Sequence, residues 1–170
     1  ALKLSALLFQ RPGEIRQMEW TEIDWAKERW CIPGRKMKGK RDHIVPLSRQ
    51  ALVVLKEIHT LTGRGVYVFP SQRGPSRPLS NNGVRAALRT MGFDNETMDA
   101  HGFRATARTI LDEVLNFRVD YIEHQQARAV KDSTGRAYNR TKYLPERVEM
   151  MQAWADYLDT LLDKGPMNND

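Results

Sequence analysis

The segment spanning residues 29–47 constrains this fold most. Two short runs rich in aromatic and β-branched residues, Arg29–Ile32 and residues 43–47 (His-Ile-Val-Pro-Leu), flank a basic turn, Arg35-Lys36-Met37-Lys38-Gly39-Lys40-Arg41. Gly34 and Gly39 bracket that turn, so the segment reads as a β-hairpin with a positively charged tip. Most of the rest has helical spacing. Leu2, Leu4, Leu7 and Leu8 mark the end of a buried helix, and Pro12 suits the first position of the next. Glu14 then falls in the first turn, where a carboxylate complements the helix dipole. Ser48 predicts an N-cap before a helix traced by Leu52, Leu55, Ile58, His59 and Leu61. Residues 66–69 read as a short strand and residues 71–79 as a loop. Ser80 is expected to cap a helix with Val84, Leu88 and Met91 inside. A further helix, starting near Asp99, carries His101 and Arg104. Val119, Ile122 and Gln126 share one face of another; Gln126 interrupts its apolar character and predicts loose packing there. Over residues 145–162, Val148, Met151, Trp154, Leu158 and Leu161 form a single apolar stripe, which Gly165-Pro166 ends. The pattern is that of an α+β chain, mainly α, with one small sheet.

A chain of 170 residues, 41% of them hydrophobic, is sized for one domain with a real core. Its net charge of +6 favours a polyanionic partner, without separating DNA from RNA or a membrane surface. Cys31 is the single cysteine, which excludes an internal disulfide and a cysteine-rich zinc site and fits a reducing, cytoplasmic compartment. No apolar run reaches the ~18 residues of a membrane span, and no secretory leader is visible. The first residue is Ala1 and the opening pattern is already helical, so the chain is expected to be a fragment of a longer protein.

The chemistry-bearing residues are few. His101 and Arg104, three apart on a helix, face the same way. Arg104 offers a permanently charged fork of donors suited to phosphate oxygens, and His101 can donate to phosphate or move a proton. Tyr138 is flanked by Arg136 and Arg140, and nearby cations favour the phenolate. Each feature has an ordinary reading as well: a surface His/Arg pair, a half-buried tyrosine with its hydroxyl in water. Arg11 stands at a turn before a helix and can equally be a solvated turn residue with Glu14 as cap. Lys38 sits on the hairpin tip, where a lysine can solubilise a turn, contact phosphate or protonate a leaving oxygen. His43 and His59 have no metal-type partner near them in sequence and read as structural. There is no glycine-rich phosphate loop.

Taken together, Arg11-x-x-Glu14, Lys38 ahead of the His43-Ile-Val-Pro-Leu strand, His101-x-x-Arg104 and Ala137-Tyr138-Asn139-Arg140 occur in the order seen in tyrosine recombinases. From about residue 2 to residue 162 the chain resembles the catalytic domain of phage and genomic-island integrases. Trp20 and the closing Met150-Met151-Gln152-x-Trp154-Ala155-Asp156-Tyr157-Leu158 segment point to the prophage and island branch. The resemblance implies the tyrosine recombinase catalytic fold, with helices around a small three-stranded antiparallel sheet. It implies residues 1–170 as one catalytic domain, the N-terminal arm-binding and core-binding domains lying outside the chain. It implies that Tyr138 attacks the scissile phosphate to give a 3′-phosphotyrosyl bond and a free 5′-hydroxyl. Arg11 and Arg104 would clamp the non-bridging oxygens, Lys38 would protonate the leaving 5′-oxygen, His101 would assist the tyrosine proton, and Glu14 would support the site. Arg35, Lys36, Lys40, Arg41 and Arg140 would bind DNA. Neither cofactor nor metal is implied, because the covalent link stores the phosphodiester energy.

Implied partners are double-stranded attachment-site DNA, an excisionase and a host DNA-bending protein. The full-length protein would be a homotetramer on DNA and the fragment a monomer. The amphipathic helix over residues 145–162 would fold back or dock in trans. One position departs from the family, where Leu-x-His stands at the same distance before the tyrosine as Gln126-Ala127-Arg128 does here. Arg128 either still donates to the phosphate or weakens catalysis. A recombinase, a DNA-binding domain impaired in cleavage and a type IB topoisomerase-like relaxing enzyme all fit these residues.

Overall fold

The computed structural model describes residues 1–128 and 141–163. Helices α1 (Leu2–Leu8) and α2 (Pro12–Arg16) lead into a 3₁₀ turn at Trp20–Glu22. Strands β1 (Ile23–Asp24), β2 (Arg29–Ile32) and β3 (His43–Pro46) follow, then helix α3 (Arg49–Thr62). A second hairpin, β4 (Pro70–Ser71) and β5 (Gly74–Pro78), precedes α4 (Gly83–Thr90), α5 (Gly102–Thr109), α6 (Val119–Gln125) and α7 (Leu144–Asp163). The first three strands form the expected antiparallel sheet in the order β1-β2-β3, with Trp30 opposite Val45 and Ile32 opposite His43.

Local sequence accounts for most of these elements. Ser48 caps α3 as expected, its hydroxyl accepting from the Ala51 amide at 3.3 Å. On β2, Trp30 and Ile32 point inward while Arg29 and Cys31 are half-exposed, the alternation of a one-faced strand. β3 is buried along its whole length because α7 lies against it.

Three local readings are corrected. Residues 66–69 are not a strand: Tyr67 alone bridges to Glu19, and Val68 donates to the Met18 carbonyl at 2.9 Å. The strands begin at Pro70 and run through the segment read as a loop, Pro70 pairing with Pro78 and Ser71 with Gly74; the prolines mask the strand signal because each lacks a backbone donor. Ser80 does not cap α4, whose N-cap is Asn82.

The largest surprise is in α7. Its buried residues are Arg147, Met150, Met151, Trp154 and Ala155, whereas Val148 is 52% exposed and Leu161 and Leu162 also face outward. The inner face is therefore rotated from the expected stripe, with a fully buried arginine on it. α7 packs on its own domain: Trp154 Nε1 donates to the Ala6 carbonyl at 3.0 Å, and its ring meets Phe9 edge-on at 6.0 Å. Arg147 enters the core because its donors are met. Nε and Nη2 donate to Gln125 Oε1 at 3.0 and 2.6 Å, Nη2 also donates to the Ile44 carbonyl, and Nη1 lies 3.3 Å from His124 Nδ1. The Gln125 carbonyl accepts from His43 Nε2 at 2.9 Å and from Gln10 Nε2 at 2.8 Å. One buried polar network thus ties α7, β3, α6 and the α1–α2 corner.

This network makes stability depend on pH. Burial first, and then the Arg147 charge, hold His43 well below its ordinary value of 6.5, so it is neutral when folded. The unfolded chain takes up that proton as pH falls through about 6.5, so it binds more protons than the folded state. The His43 contribution is fully present above that pH and is lost as pH falls towards the folded-state value. Urea midpoints are expected to be lower at pH 5.5 than at pH 7.5, and His43→Gln should narrow the gap. A gap unchanged by that substitution would assign the pH response elsewhere.

Candidate active site

Arg104 is the organising side chain. It is 6% exposed, on the inner face of α5. Its Nη1 donates to the Phe9 carbonyl at 3.0 Å and its Nη2 to the Gln126 carbonyl at 2.7 Å. Both acceptors stand at chain reversals with left-handed backbone: Phe9 itself has φ 39°, and Ala127, directly after Gln126, has φ 50°. A non-glycine residue in that region costs about 1–2 kcal/mol, so these turns are held by their surroundings. Two carbonyls fix the guanidinium plane while using two of its five N–H groups.

Arg11 joins it from the α1–α2 corner. Glu14 Oε2 accepts from the Arg11 amide and Glu14 Oε1 from Arg11 Nη1, both at 2.9 Å. One buried carboxylate therefore caps α2 and fixes a guanidinium in reach of Arg104. Burial first, then repulsion from Arg11, brings Arg104 down to about 10, with Arg128 adding to the effect and Glu14 and Glu123 opposing it. The site is a concentration of positive charge that a bound anion would relieve.

Arg128 leaves the same turn towards the surface. Its Nη1 meets Glu123 Oε1 at 3.1 Å, and Arg108 Nε donates to that oxygen at 2.8 Å. The structure thus groups Arg11, Glu14, Arg104 and Arg128. His101 occupies the N-cap position of α5 and is exposed, while Asp99 Oδ1 accepts from the Gly102 amide at 2.6 Å. The helix begins just after His101, so the expected shared face becomes an exposed imidazole beside a buried guanidinium. Tyr138 and Arg140 lie outside the described residues.

The hairpin tip is a built turn. A 3₁₀ turn at Gly34–Lys36 precedes Met37, which is buried and pins the tip to the core. A Cβ on Gly34 would lie 2.8 Å from the Lys40 carbonyl oxygen, so only glycine fits, and the Gly34 amide donates to Asp42 Oδ1 at 2.9 Å. Lys36 departs from the DNA-binding role expected of it. Its ammonium is 2.7 Å from Glu19 Oε1 and 2.5 Å from Glu22 Oε1, and donates to the Gln17 carbonyl. Its charge is spent inside the protein. Arg35, Lys38, Lys40 and Arg41 remain on the exposed side of the turn.

The packing expected to be loose at Gln126 is tight. Gln126 is fully buried, and its Nε2 donates to the Arg104 carbonyl at 2.7 Å. Sequence reasoning missed Gln10, Gln125, Gln126 and Arg147 as site-building residues. The one local signal was polar residues at positions with helical apolar spacing. His59 is structural as read, its ring packed edge-on to Trp20 at 4.8 Å. Among the described residues no cluster of His, Cys, Asp and Glu is suited to a metal ion, and no helix is long and apolar enough to cross a membrane.

The chain is similar to known proteins in sequence and in fold. The model of the phage integrase family matches residues 1–143. The integrase of Enterobacteria phage P4 is 40% identical over 94% of the chain, and the match spans 39% of that relative. The XerA recombinase crystal structure superposes with a TM-score of 0.60 at 13% identity, over 93% of this chain and 54% of that one. The lambda integrase catalytic core superposes at 0.55 and 20% identity, over 81% and 82% respectively. These two likenesses concern the fold.

Proposed function

Because this chain belongs to the phage integrase family, we propose that it is the catalytic domain of a site-specific recombinase that cuts and rejoins DNA through a 3′-phosphotyrosyl intermediate. The observation that carries the proposal is Arg104, clamped between two carbonyls with Arg11 beside it. Paired, preorganised guanidiniums stabilise charge on the non-bridging oxygens of a phosphodiester as it becomes pentacoordinate. The Tyr138 oxygen bonds to phosphorus while the bond to the 5′-oxygen breaks. His101 takes the phenol proton, and Lys38 gives a proton to the departing 5′-oxygen. A 5′-hydroxyl from a second duplex then attacks the link and frees Tyr138. Glu14 positions Arg11, and Arg35, Lys40, Arg41 and Arg140 bind the DNA backbone.

The chain spans about two fifths of the phage P4 relative, which supports reading it as the catalytic part of a longer protein, and action on DNA places that protein in the cytoplasm. Arm- and core-binding domains, a tetramer on two duplexes, an excisionase and a host DNA-bending protein complete the proposal. The Arg128–Glu123 ion pair favours one alternative, a domain that binds DNA but cleaves it poorly.

The test is a nicked duplex cut from the boundary of the element encoding the chain. The nick lets the short fragment bearing the new 5′-hydroxyl diffuse away and so traps the link. A covalent adduct whose peptide maps to Tyr138 is expected. Salt-sensitive binding without an adduct would favour the alternative, and an adduct at another residue would overturn the mechanism.

A further inference from the structure

We propose that Gln126 is a positioning residue for Arg104, acting through a reciprocal pair of hydrogen bonds. The proposal rests on the recombinase reading and adds a residue that the family pattern does not contain, since leucine is expected at this position. The Gln126 carbonyl accepts from Arg104 Nη2, and the Gln126 side-chain amide donates to the Arg104 carbonyl, both at 2.7 Å. Residue 126 therefore grips Arg104 at the guanidinium and at the main chain of α5. A leucine could supply the first contact through its backbone but never the second.

Three further observations support the role. Gln126 is fully buried, and its Oε1 meets no donor among the described residues. An unmet buried acceptor costs about 1–3 kcal/mol, so the amide is a poor choice for packing alone. The adjoining Gln125 is fixed from two other elements, by His43 on β3 and Arg147 on α7. Ala127 then turns left-handed and directs Arg128 away towards Glu123. Gln126 thus links a guanidinium held in the core to a turn whose next arginine lies outside it.

Misplacing a charged donor by about 1 Å costs on the order of a hundredfold in rate. Gln126→Met keeps volume and removes the donor; Gln126→Leu restores the family residue. Single-turnover adduct formation by the full-length protein should fall about 10–100-fold in both variants on the ordinary phosphate substrate. A scissile methylphosphonate lacks the charge that Arg104 neutralises. On that substrate wild type and variants should differ by less than about threefold, because Arg104 placement no longer limits the step. A residue that merely stabilises the fold would slow both substrates equally, and thermal melts of each variant identify that case. Equal loss on both substrates, or none on either while the wild type reacts, overturns the positioning role alone. A wild-type protein that forms no adduct removes the recombinase reading and this proposal with it.

Discussion

Arg104→Ala is expected to lower adduct formation by about 100–1,000-fold, the cost of deleting one preorganised donor to a developing oxyanion. It should also destabilise the fold. The Phe9 and Gln126 carbonyls each accept from this guanidinium, and both lie beside left-handed turns. Deleting it leaves two desolvated acceptors, at about 1–3 kcal/mol each. Arg104→Lys separates the two effects. An ammonium can satisfy one carbonyl but cannot span a fork, so this variant should recover part of the stability and little of the activity. Urea denaturation alongside single-turnover kinetics reads both. An Arg104→Ala protein that forms adduct within tenfold of wild type would remove Arg104 from the phosphate.

Arg147→Ala is expected to unfold the domain under mild conditions, through a residue that makes no hydrogen bond to Arg104. The guanidinium is fully buried and donates to Gln125 Oε1 and the Ile44 carbonyl, with His124 beside it. Truncation strands those acceptors and opens a cavity along α7. Breaking a buried charged network from one side costs about 3–5 kcal/mol, a large part of the 5–15 kcal/mol that holds a typical domain folded. Arg147→Met fills the space without meeting the acceptors and should fall between wild type and Arg147→Ala. Far-UV circular dichroism through a urea titration measures the order. An Arg147→Ala midpoint equal to wild type would mean that α7 is anchored by Trp154, Met150 and Met151 alone.

Much of the site was legible because its residues are chemically conspicuous. Arg11, Glu14 and Arg104, which the structure brings together, announce themselves by type and order, as do the candidates Lys38, His101 and Tyr138. The β2–β3 hairpin and the capped α3 follow from glycine placement, β-branched runs and Ser48. What sequence misassigned were residues whose role depends on a distant partner. Lys36 looks like its basic neighbours until Glu19 and Glu22 are found on either side of it. Gln126 looks like a flaw in an apolar face until the Arg104 carbonyl is found facing it. Arg147 carries no local sign of burial, and only the closure of β3 and α6 over it shows its place.

The sequence by itself determined the fold class and, through the order of its motifs, the family and the candidate reacting groups, since periodicity, capping and side-chain chemistry are local properties. The tertiary structure alone decided that the Lys36 charge is paired inside the protein, and which backbone carbonyls hold Arg104. It brought Phe9 and Gln126 to opposite ends of one guanidinium across contacts that no local pattern encodes. Burial makes the outcome unforgiving, because a polar group removed from water must find its partner within the fold.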